Sequence, residues 1–138
     1  MATNYWQFSE AIHLRSRDEI DWCRGRLAEL EAGENGLGFT WEIDAESDLW
    51  LHDDGGSGDI GQVADFVGEY LARFDPDGCF TLTYAETCSA PRIGEFGGGA
   101  AFVTARRTTY LSAHDWARKR AEAWHARRPR AAKRRHRA

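Results

Sequence analysis

Two segments of the chain carry apolar residues at helical spacing, and each begins at a residue suited to capping a helix. Ser16 and Glu19 form an S-x-x-E capping box, the pair of side chains whose reciprocal hydrogen bonds open helices. Asp59 and Gln62 form a second capping pair. The stripes that follow are Ile20, Cys23, Leu27 and Leu30 in the first segment, and Ile60, Val63, Val67 and Leu71 in the second. The sequence therefore predicts helices over 16–32 and 59–74.

The segments around these helices have the composition or the alternation of strands. Residues 4–14 are rich in aromatic and β-branched side chains, and 38–47 alternates apolar residues with threonine and acids. Similar patterns over 48–53 and 79–88 predict two further strands, and 100–112 is expected to be one strand or extended segment. The glycines of 53–59 and 89–99 and the turn sequence DPDG predict the connections.

The resulting order, β-α-β-β-α-β-β-α, predicts an α+β fold. We expect a ferredoxin-like split β-α-β sandwich, with an antiparallel sheet, two helices on one face, an extra strand and a C-terminal helix. Ser112 and Asp115 are expected to open that last helix and Pro129 to end it. The predicted organisation is an α+β domain over 1–112, a helix over 113–128 and a basic tail over 129–138.

The charge of the chain is strongly polarised along its length. The net charge is −4, yet residues 118–138 hold ten of the 18 cationic side chains and one acid, Glu122, a local charge of +9. Guanidinium groups bind phosphate bidentately, and a nucleic-acid backbone releases counterions when they bind. The ten candidate nucleic-acid-binding residues are Arg118, Lys119, Arg120, Arg127, Arg128, Arg130, Lys133, Arg134, Arg135 and Arg137. The alternative is a solvated tail that keeps the protein soluble or folds back on the acidic body.

Two tryptophans, Trp116 and Trp124, precede the tail. They could stack on bases, but their spacing of eight residues leads us to expect that they pack on one helical face. The acidic body itself, net −13, offers a surface for a basic protein partner; the alternative is a plain solvated sheet edge.

A second group of candidate residues surrounds the glycine-rich segment 89–99. Consecutive glycines allow a close backbone approach to a ligand, Arg92 could pair with a phosphate, and Cys88 could act as a nucleophile if a histidine lay nearby. Glu86 ends the apolar row of the preceding strand. This alternative site, for a small ligand or a small enzyme, comprises Glu86, Cys88, Arg92, Gly97, Gly98 and Gly99. The glycine spacing matches neither a dinucleotide fingerprint nor a P-loop, so a hairpin connection is the competing interpretation.

Several motifs together resemble a known group of proteins. These are W-E-I-D with L-W-L, a helix ending in F-D-P, the strand F-T-L-T-Y-A-E, and the turn E-F-G-G-G, over about residues 37–105. The most specific positions are Tyr84, Ala85, Glu86, Phe96 and Gly97. The chain resembles small uncharacterised phage and plasmid proteins with a ferredoxin-like domain, from which the segment before Phe96 and the basic tail depart. The resemblance implies that fold, a mobile-element origin in a bacterial host cell and no catalytic residues.

The remaining features exclude several classes. Three cysteines do not form a disulfide framework, so we expect the cytoplasm. No metal-ligand spacing occurs, and no apolar run is long enough for a membrane span, so we expect no metal, no cofactor and no membrane contact. We expect a non-enzymatic binding protein of a phage or mobile element that contacts nucleic acid or a nucleoprotein complex, a host-defence complex being one version. A virion or assembly subunit is a further alternative.

Overall fold

The computed structural model describes residues 3–53 and 58–127, which form an α+β fold of six strands and three helices. The elements in chain order are β1 (Asn4–His13), α1 (Arg17–Ala32), β2 (Thr40–Ile43), β3 (Asp48–Asp53), α2 (Ile60–Phe74), β4 (Cys79–Cys88), β5 (Gly97–Thr104), β6 (Thr108–Ser112) and α3 (Ala113–Arg127). The predicted α+β class is confirmed. None of the helices among the described residues is long and apolar enough to cross a membrane.

The six strands form one antiparallel sheet in the order β2-β3-β1-β4-β5-β6. The N-terminal half of β1 pairs with β4, and its C-terminal half pairs with β3. Where β1 leaves β4, the Glu10 carboxylate accepts the backbone N–H of Thr83 at 3.2 Å, so this strand N–H stays satisfied. The two edges of the sheet are β2 and β6.

Helices α1 and α2 begin where the capping residues predict. Ser16 Oγ accepts the N–H of Glu19 at 3.2 Å, and Asp59 Oδ1 accepts the N–H of Gln62 at 3.0 Å. The Glu19 carboxylate is buried and also accepts the hydroxyl of Tyr70 on α2. The N-terminal end of α1 is thereby joined to α2.

The core lies between the sheet and these two helices. Cys23 and Leu27 of α1 and Val63, Val67 and Leu71 of α2 belong to one buried cluster that also contains Leu49, Leu51, Leu82 and Val103 from the sheet. The helices also contact each other, through Trp22 stacked on Phe66 and through a 2.8 Å ion pair between Arg26 and Glu69. One face of the sheet is therefore covered by α1 and α2, as the two stripes predict.

The structure corrects the prediction at residues 97–112. The expected single strand over 100–112 is two strands, β5 and β6, and Gly97, Gly98 and Gly99 belong to β5 and not to a loop. The tight turn between them lacks glycine, proline, asparagine and aspartate. The Thr104 hydroxyl holds it by accepting the N–H of Arg106 at 3.3 Å and of Arg107 at 3.2 Å.

Candidate nucleic-acid interface

Helix α3 follows β6 directly and stands apart from the core. The Ser112 hydroxyl accepts the N–H of Asp115 at 3.3 Å, as the capping pair predicts, but every residue of α3 is exposed. Pro129, the predicted end of this helix, lies outside the described residues. Since α3 contributes nothing to the core, its side chains are available to a partner.

The two tryptophans of α3 are not packed, contrary to the prediction. Trp116 is 52% exposed and Trp124 is 59% exposed. Eight residues of α-helix correspond to about 80° of rotation, which places both rings within one broad face of α3, yet neither ring is buried. Alanines occupy much of the remaining apolar surface of α3, and no continuous stripe of large side chains exists to fasten the helix to the sheet.

The four candidate cations on α3 are in different electrostatic states. Arg118 forms ion pairs with Asp115 at 3.1 Å and with Glu122 at 3.8 Å. Arg120 lies over the Trp116 ring, 5.4 Å from its centroid. Within the described part of the chain, neither Lys119 nor Arg127 has an ion-pair partner. Lys119, Arg120 and Arg127 are therefore the cations on α3 that are best able to bind a phosphate group.

The other six candidate cations continue the sequence beyond α3. Arg128, Arg130, Lys133, Arg134, Arg135 and Arg137 lie outside the described residues. Their contribution to a nucleic-acid contact is a prediction that rests on charge alone. The segment that follows α3 contains six cations and no acid.

The alternative ligand site is brought together only in part. Glu86 lies opposite Gly97, and a Cβ on Gly97 would sit 2.7 Å from His114 Nε2 and 3.8 Å from Glu86 Oε2. Burial raises the pKa of the neighbouring Tyr84 hydroxyl, and the negative charges of Glu86 and Asp115 add to the increase. Tyr84, Glu86 and His114 thus share one end of the sheet.

The cysteine and arginine of that site do not join this group. Cys88 lies opposite Asn4 at the end of β4, and Arg92 is exposed in the following loop. The loop is fastened to the start of the chain, because Ser89 Oγ accepts the Thr3 N–H at 2.7 Å and Glu95 accepts the Asn4 amide at 2.6 Å. Across residues 3–53 and 58–127, no hydrogen bond or ion pair links either side chain to His114.

The glycines of β5 have a steric role in the sheet. A Cβ on Gly98, at φ +149°, would collide with the Tyr84 carbonyl, and one on Gly99 would collide with the carbonyl of Leu111. The strand passes this close to its neighbours only because these residues lack side chains. This geometry accounts for the glycine run without a ligand.

The other potential reactive groups already have structural roles. Burial raises the pKa of the Cys23 thiol to about 12, so it stays protonated and inert within the core. Asp44, Glu46 and Asp48 cluster at the β2–β3 turn. The Asp44 carboxylate accepts the N–H groups of Glu46 and Asp48, at 2.9 and 3.0 Å, and Asp48 bonds His13 at 2.7 Å. These hydrogen bonds stabilise the β2–β3 turn and account for the clustering of the three acidic residues without a metal ion.

Sequence reasoning missed His114 as a neighbour of Glu86. Their proximity depends on β6 folding back along β5 so that the first turn of α3 reaches Gly97, and no turn signal in the sequence predicts that hairpin.

Comparisons with models of protein families, with curated proteins and with solved structures find no match to this chain.

Proposed function

We propose that this protein binds nucleic acid through α3 and the basic residues that follow it. The observation that carries the proposal is that α3, a helix of 15 residues, buries none of its side chains while it presents two tryptophans and three cations without ion-pair partners among the described residues.

The chemistry of these side chains suits a nucleic-acid strand. Lysine and arginine contacts to phosphates release counterions, and an exposed tryptophan can stack on an unpaired base at about 1–3 kcal/mol per base. Arg120 beside Trp116 supplies both contacts at one point of the helix. The acidic body repels phosphate, which directs the nucleic acid to the C-terminal part.

The proposal also includes a ferredoxin-like fold and a phage or plasmid origin for the protein. The order β4-β1-β3-β2 and the two helices on one face support a ferredoxin-like unit, to which β5, β6 and α3 are additions. The motif resemblance supports a phage or plasmid origin. A nucleic-acid-handling complex of host defence is then the partner that the basic C-terminus would engage.

Binding of labelled oligonucleotides to the full chain, followed by fluorescence anisotropy, tests the proposal. Lys119→Ala with Arg127→Ala should weaken binding, and Trp116→Ala should weaken binding to single strands more than to duplex. Arg17→Ala with Arg24→Ala, on α1, removes the same charge and serves as the control. If both double variants weaken binding equally, α3 is not the interface and the proposal fails.

The alternative, a small-ligand site or a small enzyme at residues 86–99, keeps one supporting observation. Glu86 and His114 approach the same glycine, close enough for both to contact one bound group. A ligand there should shift the His114 imidazole resonances in an NMR titration with small phosphates and carboxylates. Unchanged resonances across such a panel would remove this alternative.

A further inference from the structure

The edge strand β6 lacks the features that normally protect a sheet edge. Natural edges carry charges, prolines or bulges, which discourage pairing with another chain. The opposite edge, β2, is four residues long and carries Glu42, whereas β6 has the uncharged sequence Thr-Thr-Tyr-Leu-Ser. Tyr110 is 52% exposed and Leu111 is 53% exposed. Among the residues that the structure describes, no strand pairs with this edge.

The register shows which main-chain groups of β6 point outward. The N–H of Thr104 donates to the carbonyl of Arg107 at 2.9 Å, which makes this pair the hydrogen-bonded one beside the turn. Hydrogen-bonded and non-hydrogen-bonded residue pairs alternate along an antiparallel ladder. The backbone N–H and C=O groups of Thr109 and Leu111 therefore form the hydrogen bonds to β5. Thr108 and Tyr110 therefore direct their N–H and C=O groups away from the sheet. No hydrogen bond to these groups occurs within residues 3–53 and 58–127.

Clefts on the helix side of β6 would receive alternate side chains of an added strand. One cleft, of about 350 Å³, lies between Tyr110 and the first turns of α3 at Trp116, Lys119 and Arg120. The other, also of about 350 Å³, lies between Tyr110 and α2 at Ala64 and Gly68. On the opposite side of the sheet, Leu111 and Phe102 are exposed and would contact the intervening side chains.

The charges around β6 identify the kind of strand that fits. Arg106 and Arg107 precede β6, and Lys119 and Arg120 line the cleft beyond its end, so cations flank an uncharged centre. The cleft walls also contain Asp65 and Asp115, and Asp115 is already paired with Arg118 at 3.1 Å. A second copy of this chain fits poorly, because antiparallel β6–β6 pairing would bring the arginines of one copy to the lysine and arginine of the other.

We infer that β6 is a docking site for an extended peptide segment of a partner protein, with an uncharged, β-prone centre and acidic residues at both ends. The segment adds a seventh strand to the sheet. Its main chain bonds Thr108 and Tyr110, its apolar side chains occupy the clefts beside Tyr110, and its acidic ends meet the flanking cations. This site shares Lys119 and Arg120 with the proposed nucleic-acid contact, but its main-chain hydrogen bonds to β6 do not depend on that contact.

Anisotropy of a labelled synthetic peptide tests the inference. The peptide has a valine- and threonine-rich centre with glutamates at both ends; one control peptide carries lysines at the ends, and another has a central proline. The full chain should bind the first at least about tenfold more tightly than either control. Equal binding of all three peptides, or a β6-mediated dimer that excludes them, would overturn it.

Two variants connect the binding to β6. Tyr110→Pro removes an outward N–H that β5 does not use, and should weaken binding at least about fivefold relative to Tyr110→Ala, which retains it. Arg106→Glu with Arg107→Glu should shift the preference towards the lysine-ended peptide, which no folding defect would produce. An unchanged preference in the charge variant contradicts the assignment, as does equal affinity of the two Tyr110 variants.

Discussion

Removing one hydroxyl group from the contact between α1 and α2 should destabilise the fold substantially. Glu19 and Tyr70 are each 4% exposed, and the Tyr70 hydroxyl donates to the Glu19 carboxylate. Tyr70→Phe leaves that carboxylate with Ser16 Oγ at 3.3 Å and Arg15 Nε at 3.5 Å. Losing a hydrogen bond to a buried charged group costs about 1.5–3 kcal/mol, so we expect a decrease of that size in the free energy of unfolding at pH 7.

The same hydrogen bond makes a pH-dependent prediction. Burial raises the pKa of Tyr70, and the bond to Glu19 adds to the increase. A raised pKa in the folded state means that the stabilisation is complete below the ordinary tyrosine pKa and is lost as the pH rises above it. The stability difference between the wild-type chain and Tyr70→Phe should therefore stay constant to about pH 9 and shrink by about 1 kcal/mol by pH 11.

Urea unfolding at a series of pH values measures both effects. Tyr5→Phe is the matched control, because Tyr5 lies on β1 away from this contact, and its effect should stay within about 0.5 kcal/mol. Two results would contradict this account. One is an equal free energy of unfolding for Tyr70→Phe and the wild-type chain at pH 7, and the other is a difference in that free energy that does not narrow above pH 10. Either would show that the hydrogen bond from Tyr70 to the Glu19 carboxylate does not stabilise the fold.

Two further substitutions test the assignment of the core and of the candidate ligand site. Leu27→Ala should lower the free energy of unfolding by about 2–5 kcal/mol, because Leu27 is fully buried on the face of α1 that packs in the core; a loss under about 1 kcal/mol in urea unfolding would show that Leu27 is not a core residue. Cys88→Ser should leave both the fold and oligonucleotide affinity unchanged, since no described histidine is hydrogen-bonded to this thiol; abolished function with a normal circular dichroism spectrum would instead favour the small-enzyme alternative.

The parts of the fold that sequence reasoning predicts well are those with local signals. Ser16 and Asp59 mark helix starts because each side chain accepts the N–H of the residue three positions further on. The sequence does not predict the β5–β6 hairpin, because its turn is held by the Thr104 hydroxyl and contains none of the usual turn residues. The glycine run 97–99 predicts a loop, but in the structure it lies in β5, where the neighbouring strands leave no room for side chains at Gly98 and Gly99.

The candidate site could be predicted from sequence only in its charges. The cations of α3 are visible as composition, but whether a given cation is already paired depends on its position around the helix, as Arg118 shows. The spacing of Trp116 and Trp124 predicts that they pack, but both are exposed, because α3 buries none of its residues against the described part of the fold. The proximity of distant segments, such as the approach of both Glu86 and His114 to Gly97, depends on the complete sheet and is not visible in the sequence.

The salt dependence of oligonucleotide affinity tests the central proposal most directly. Affinity for a duplex should be compared between the full chain and a chain that ends at Arg127, at several salt concentrations. Each neutralised phosphate contributes a slope of about −0.9 to the plot of log affinity against log salt, so five or more contacts by the full chain give about −4.5 or steeper. The shortened chain keeps on α3 the three cations that have no ion-pair partner among the described residues, so its slope should be about −3 or shallower and its affinity weaker. Equal slopes and affinities for the two chains, or the absence of salt dependence, would contradict the proposal that the basic C-terminus binds nucleic acid.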